Sequence, residues 1–187
     1  QFRHGLSPEA VSASPLVSDP LRLFDCSPIS DGAAACILST KHASSLRIAA
    51  SQMASDTLSI TERSTRVSFP ATREAMGHAL AEAGIERSDI RAVETHDCFS
   101  IAAVINMEDL GFAEAGEGIH IYEDLYAGKT PLFLNSSGGL KACGHPVAAT
   151  GVKQVIDIGK NLTRTKSRYG LAHHFGGACA SCGVHIV

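Results

Sequence analysis

The sequence has few aromatic residues, no run of basic residues and no long hydrophobic stretch. Tryptophan is absent, and aromatics make up 5% of the 187 residues against a hydrophobic share of 44%. The core must therefore consist mainly of Ala, Val, Ile and Leu, which suits closely packed helices and sheets. A net charge of -3 without Lys or Arg clusters argues against nucleic acid as a partner. No apolar stretch nears the roughly 18 residues of a membrane span, so we expect no membrane-spanning segment.

The six cysteines lack the setting of a disulfide framework. There is no secretory signal peptide, and Cys36, Cys98 and Cys143 lie in apolar or glycine-rich segments. We therefore expect free thiols in a reducing compartment. The first residue is Gln1 rather than Met, which predicts a fragment or a processed chain.

The predicted elements alternate between strands and helices. Residues 1–20 hold three of the seven prolines, as is typical of a linker. Pro70 at a first helical position and Gly84 as the stop delimit the clearest helix. Strands are predicted at residues 33–38, 47–54, 90–94, 132–135, 169–174 and 180–187, and further helices at residues 99–110, 119–126 and 146 to 159 or 160. This βαβ rhythm predicts an α/β fold.

The first candidate for chemistry is the turn of His96, Asp97, Cys98 and Phe99. It follows a predicted strand and precedes a predicted helix, which is where open α/β sheets place ligands. A thiol at a helix N-terminus beside a histidine is expected to have a lowered pKa, so Cys98 could exchange protons with a substrate. The alternative makes Asp97 a helix cap and Cys98 a small buried hydrophobic residue.

The second candidate is the glycine-rich loop at residues 135–146, which leads into a helix. Glycine there permits close approach of the backbone to a ligand, but neither GxGxxG nor a Walker pattern is present. His145, directly before Pro146, is placed to polarise an oxygen or activate a thiol. The alternative is that His145 only caps the helix.

A metal site is a weaker alternative. Cys179 and Cys182 form a CxxC pair with His173 and His174 nearby, which would suit zinc. A second CxxC is missing, and strand residues three apart face opposite sides, so the sulfurs would converge only if the backbone turned. We therefore expect no metal.

Together these segments resemble the thiolase superfamily, and within it the sterol-carrier-protein-2 type, whose members carry an HDCF loop. Residues 96–99 are that string intact. Residues 30–34 resemble the (N/S)DGAA strand entry of the family. Residues 138–139, 144–146 and 149–151 resemble its GG...GHP.GATG segment, and all the motifs follow in thiolase order.

The resemblance implies roles for these residues. His145 would deprotonate a nucleophilic cysteine and help to hold the thioester oxygen, and His96 would be a second donor to that oxygen. Many thiolases reprotonate the enolate with a cysteine of a C-terminal CxG motif. Here Gly176 occupies that place, so Cys98 is the implied acid/base thiol and Cys179 its rival.

The resemblance also implies substrate contacts, partners and fold. The amides of Gly177 or Ala178 would form a second oxyanion hole, and Phe99 would line the pantetheine channel. The fold would be the C-terminal βαβαβαββ half of a five-layered αβαβα sandwich, with residues 1–45 as linker and end of the N-terminal thiolase domain and residues 46–187 as the C-terminal thiolase domain. The N-terminal half with its nucleophile would be missing.

The implied function is that of a 3-ketoacyl-CoA thiolase, an acyltransferase that cleaves its substrate through an acyl-cysteine. Acyl-CoA and coenzyme A would be substrates, with no cofactor. The full-length protein is expected to form a homodimer or homotetramer in mitochondria or peroxisomes, although an SKL-type tail is absent. The alternative is a non-catalytic thiolase-like protein that binds acyl-CoA or lipid, or supports an assembly.

Overall fold

A five-stranded sheet with helices on both faces organises the computed structural model, which describes residues 4–187. The helices are α1 (Pro8–Ser12), α2 (Pro70–Ala83), α3 (Ser100–Asp109), α4 (Gly118–Tyr126), α5 (Gly139–Cys143) and α6 (Val147–Thr165). The strands are β1 (Leu16–Ser18), β2 (Leu21–Arg22), β3 (Ala50–Ser55), β4 (Ile90–Glu94), β5 (Phe133–Leu134), β6 (Tyr169–Gly176) and β7 (Ser181–Ile186). None of the helices in residues 4–187 has the length and apolar character to span a bilayer.

The sheet order is β3-β7-β6-β4-β5. β4 runs parallel to β5 and β6, whereas β7 runs antiparallel to both of its neighbours. β1 and β2 form a separate antiparallel pair. The parallel centre places the carboxyl ends of β4 and β5 at one edge of the sheet, where the loops that follow them meet.

Each face of the sheet has its own apolar core. α2 and α3 cover one face with buried residues such as Met76 and Met107. On the other face, Ile158 and Leu162 of α6 pack against Ala92. A Cβ at Gly170 would lie 2.6 Å from Cγ2 of Ile158, so glycine in β6 lets the helix approach the sheet closely.

The predicted α/β fold is confirmed, and several elements have the expected bounds. β4 spans the predicted residues, and α2 runs from Pro70 to a left-handed Gly84. α6 continues to Thr165 rather than ending at Gly159 or Lys160. A Cβ at position 159 would lie 2.8 Å from Cδ1 of Leu46, so this glycine allows close packing and does not mark the helix end.

The predicted strand at residues 33–38 is wrong for the described chain. Ile37 and Leu38 are 95% and 74% exposed, and no strand of residues 4–187 hydrogen-bonds to the segment. Its apolar residues lack a sheet to join, and periodicity alone cannot supply that partner. The predicted linker at residues 1–20 instead contains α1 and β1, with residues 1–3 outside the described part.

Candidate functional site

The two turns singled out in the sequence meet at the carboxyl end of β4. The ring centroids of His96 and His145 lie 4.8 Å apart in an edge-to-face arrangement, with an interplanar angle of 89°. Phe175 of β6 lies 4.7 Å from the His96 ring. The site therefore combines one histidine from the turn after β4, one histidine from the glycine-rich turn and the ring of Phe175.

Residues at the end of β4 form hydrogen bonds to the glycine-rich loop. Glu94 accepts hydrogen bonds from the amide of Ser137 at 3.0 Å and from its hydroxyl at 2.6 Å. Thr95 and Asn135 bond reciprocally, with the Thr95 amide 2.7 Å from Asn135 Oδ1. Burial raises the pKa of the Glu94 carboxyl, and the Ser137 bonds oppose that rise. These bonds fix the loop against the end of the strand immediately before His96.

Asp97 makes a third side-chain hydrogen bond to the loop. It does not cap the following helix, which was the alternative considered from the sequence. Its Oδ1 accepts the amide of Leu140 at 2.7 Å, so it bonds the first turn of α5 rather than capping α3. A Cβ at Gly139 would lie 2.1 Å from Asp97 Oδ2, and Gly139 has a φ of +60°. Burial raises the pKa of the Asp97 carboxyl, against the Leu140 bond. The glycine is needed so that the carboxylate can approach.

His96 is almost withdrawn from water, with 4% of its surface exposed. Burial, and then the neighbouring His145 and His174, lower its pKa to about 3. Its backbone carbonyl accepts a hydrogen bond from Asn106 Nδ2 at 2.9 Å. Its Nδ1 is buried without a hydrogen-bond partner among residues 4–187. The ring is therefore neutral near pH 7, and its buried Nδ1 is an unsatisfied polar atom.

His145 does not cap α6, whose N-cap is Pro146 without a side-chain bond. Its amide donates to the Pro28 carbonyl at 3.1 Å, and its Nδ1 lies 2.8 Å from the Thr150 hydroxyl. Burial lowers the pKa of this ring as well. Both histidines of the pair are thus held as neutral imidazoles.

Cys98 lies in the same turn, but the predicted lowering of its pKa is wrong. Burial, and secondarily the nearby Cys179, raise the pKa of the Cys98 thiol to about 12. α3 begins only at Ser100, and bonds to the backbone amides of Phe99 and Cys98 oppose the rise incompletely. Desolvation therefore outweighs the helix terminus, and Cys98 holds its proton near neutral pH. Phe99 itself is 43% exposed.

The third predicted segment is the turn between β6 and β7. Gly177, Ala178 and Cys179 have φ angles of 57°, 54° and 65°, so two non-glycine residues adopt the left-handed conformation. Arg63 Nη2 donates to the Ala178 carbonyl at 2.7 Å and fixes the turn. Burial raises the pKa of Cys179 to about 11, and Arg63 opposes that rise. Cys179 and Cys98 pack against the same apolar core, so this turn lies close to the site.

The residues considered for zinc diverge. His173 is fully buried on one face of β6, with its two ring nitrogens bonded to the hydroxyls of Thr72 and Thr95. His174, on the opposite face, stacks on His185 with centroids 5.7 Å apart. Within residues 4–187, no group of three or more His, Cys, Asp or Glu side chains could hold a metal ion.

A segment that the sequence did not single out touches both turns. The Ser27 amide donates to the Cys98 carbonyl at 2.8 Å, and the chain then pairs with His145 through Pro28. Lys141 donates to the Leu23 carbonyl at 3.1 Å and also to that of Cys26. Residues 23–29 therefore tie the Cys98 turn to the His145 turn. No local pattern could reveal contacts so distant in sequence.

The family model described as "Thiolase C-terminal domain-like" matches residues 52–187. The acetyl-CoA acetyltransferase of Methanothermobacter thermautotrophicus is 40% identical, covering 100% of this chain and 52% of that protein. Sterol carrier protein 2 of Bos taurus is 36% identical over 84% of this chain and 31% of its own length.

A solved structure of the Ltp2-ChsH2(DUF35) aldolase superposes with a TM-score of 0.79. It covers 98% of this chain and 52% of that chain, at 22% identity, and supports the fold alone. The chain spans about half the length of the archaeal acetyl-CoA acetyltransferases it matches, at 52% and 53%.

Proposed function

The chain belongs to the thiolase family, and from that premise we propose that it supplies the acid/base and oxyanion half of a 3-ketoacyl-CoA thiolase. The observation that carries the proposal is the His96–His145 pair, with ring centroids 4.8 Å apart and Cys98 in the same turn. The nucleophilic cysteine would come from an N-terminal half outside residues 1–187. Acyl-CoA and coenzyme A would be the substrates.

The first step of the proposed reaction cleaves a carbon–carbon bond. His145 takes the proton of the nucleophilic thiol, and the thiolate attacks the 3-keto carbon. The bond between C2 and C3 breaks, which leaves an acyl-cysteine and the enolate of acetyl-CoA. His96 and His145 stabilise the developing oxygen charge as hydrogen-bond donors. The partnerless Nδ1 of His96 supports this role, because a buried ring nitrogen otherwise loses a bond it had in water.

Cys98 would then donate its thiol proton to C2 of the enolate. A thiol with a pKa of about 12 stays protonated near pH 7, so the proton is present when the much more basic carbon needs it. Coenzyme A returns a proton to the Cys98 thiolate, and its sulfur attacks the acyl-cysteine. The nucleophile leaves as a thiolate and recovers its proton from His145, so both residues end as they began.

The N-terminal half would also complete the fold. Apolar residues 36–38 and the outer side of α6 line a groove of about 820 Å³, to which Val155 and Ile156 contribute. A second sheet packed there would give the 33–38 segment neighbouring strands and complete five layers. We propose that this groove receives the other half, and that Gly177, Ala178 and Phe99 contact the acyl-CoA.

The test is the Cys98→Ala substitution in the protein that carries both halves. Cleavage of acetoacetyl-CoA should fall by about 100-fold or more, as for loss of a positioned acid/base. Acylation of the nucleophile by acetyl-CoA, which breaks no carbon–carbon bond and needs no proton from Cys98, should persist when followed by mass spectrometry of the acyl-enzyme. Glu114→Ala, at an exposed position outside both the site and the proposed groove, is the control. Turnover near that of the unsubstituted protein would remove Cys98 from the mechanism, and a matching loss in Cys179→Ala alone would transfer the role to that residue.

A second candidate is a non-catalytic protein that binds acyl-CoA or lipid. It is favoured by the names of two relatives, sterol carrier protein 2 and the non-specific lipid-transfer protein-like 2 of Caenorhabditis elegans. It predicts that the two-half protein binds acyl-CoA without turnover. Measurable thiolysis that requires His145 would exclude this candidate.

A further inference from the structure

The hydroxyl of Thr150 stands between two groups that compete for its single proton. Its Oγ1 lies 2.8 Å from Nδ1 of His145 and 3.1 Å from the carbonyl oxygen of Pro146. A carbonyl oxygen can only accept, whereas a neutral imidazole nitrogen either donates or accepts. Both hydrogen bonds form together only if the hydroxyl donates to the Pro146 carbonyl and accepts a hydrogen bond from Nδ1–H of His145.

We infer that Thr150 is a positioning residue that holds His145 in the Nδ1–H tautomer and leaves the lone pair on Nε2. The meaning of that lone pair for catalysis rests on the proposed function, because Nε2 would then be the atom that deprotonates the nucleophilic thiol. Thr150 is 4% exposed, so water does not compete for its hydroxyl. Burial lowers the pKa of His145, so the ring is in the neutral form in which tautomers differ.

The opposite tautomer would satisfy fewer bonds. If Nε2 carried the proton, Nδ1 would need the Thr150 proton, and the hydroxyl would give up its bond to Pro146. The Pro146 carbonyl would still have the Thr150 amide at 3.1 Å. The two arrangements therefore differ by about one hydrogen bond, which shifts the tautomer ratio roughly fivefold toward the Nδ1–H form.

His173 provides an internal comparison, because its surroundings select the reverse tautomer. Its Nδ1 faces the backbone amide of His96 at 3.5 Å and the Thr95 hydroxyl at 2.9 Å. A backbone amide can only donate, so Nδ1 must accept and Nε2 carries the proton. That proton points to the Thr72 hydroxyl at 3.1 Å, whose own proton faces Cys182 Sγ at 3.5 Å.

The experiment is a long-range ¹H–¹⁵N correlation spectrum of the uniformly ¹⁵N-labelled chain near pH 8, with the His145 signals assigned by their loss in His145→Gln. We expect Nδ1–H for His145 and Nε2–H for His173. Thr150→Val, which keeps the shape and removes the hydroxyl, should shift the His145 tautomer ratio roughly fivefold toward Nε2–H. Thr150→Ser should restore the Nδ1–H form, and His173 should not change in either variant.

A His145 ring that is mainly Nε2–H in the unsubstituted chain would overturn the inference, as would a ratio unaffected by Thr150→Val while His173 keeps its signals. If His173 also changes in Thr150→Val, the variant is misfolded, and the unsubstituted and Thr150→Ser spectra decide. The measurement needs no turnover. A negative result in the Cys98 experiment would therefore not affect the tautomer assignment. An Nε2–H result for His145 would not decide the thiolase reaction, which the Cys98 experiment tests.

Discussion

The burial of His96 predicts a specific loss of stability in mild acid. The pKa of this ring is lowered from 6.5 to about 3 in the folded chain. Its contribution to stability is complete above pH 6.5 and is lost as the pH falls, because the unfolded chain takes up a proton that the folded chain refuses. One pH unit corresponds to about 1.36 kcal/mol, so the fall from neutral pH to pH 5 removes about 2 kcal/mol.

The perturbation is His96→Phe, which keeps an aromatic ring beside Phe175 and removes the titrating group. Urea unfolding at pH 7.5 and at pH 5 gives the free energy of unfolding at each pH. The unsubstituted chain should lose about 2 kcal/mol more than the variant between these two values. Other buried histidines, such as His173, titrate in both proteins and cancel in the difference.

The same substitution is expected to be mild at pH 7.5. It replaces a buried Nδ1 that lacks a partner, so the change should stay within about 1 kcal/mol. His78→Phe, at an exposed position of α2, is the matched control and should follow the unsubstituted chain at both pH values. Equal losses for His96→Phe and the unsubstituted chain would mean that water reaches His96, and the reasoning from its burial would fail.

Two further substitutions test the ties that hold the glycine-rich loop. Asp97→Ala leaves the Leu140 amide without its carboxylate and should lower the free energy of urea unfolding by about 2 kcal/mol. Glu114→Ala, at an exposed acid, should stay within about 0.5 kcal/mol, and equal effects would contradict a specific role for Asp97. Glu94→Gln tests a pKa raised above 4.5: the stability that depends on protonated Glu94 is lost as the pH rises through its folded pKa. Between pH 4 and pH 7, the free energy of unfolding of the variant should therefore rise relative to that of the unsubstituted chain. A difference that does not change with pH would mean that Glu94 is not desolvated.

The elements that could be predicted from sequence are those with signals inside them. Pro70 and Gly84 sit at the two ends of α2, and β4 carries its burial in its own residues. Residues 33–38 carry an equally apolar signal, but a strand forms only where another strand offers hydrogen bonds. The helix end predicted at Gly159 was wrong for a related reason: the glycine allows close packing against Leu46, a tertiary contact that the local sequence does not reveal.

The candidate site shows the same difference between local sequence signals, which were predictable, and tertiary contacts, which were not. The sequence singled out the turns of His96 and His145, because each follows a strand end or a glycine-rich loop, and the structure brings their rings together. It could not predict the pKa of Cys98, since burial raises it in the folded chain and Cys179, which is distant in sequence, adds to the rise. Nor could it show that Asp97 reaches across to Leu140 rather than to the helix that follows it.

The bonds around the histidine pair indicate whether its geometry would depend on the proposed N-terminal half. Glu94, Thr95 and Asp97 bond to residues 135–140, and Thr150 bonds to His145, so every one of these partners lies within this chain. The pair therefore does not need the N-terminal half to bring its rings together. A nucleophile arriving from that half would meet two neutral imidazoles already in place, and this preorganisation lowers the reorganisation required in the transition state.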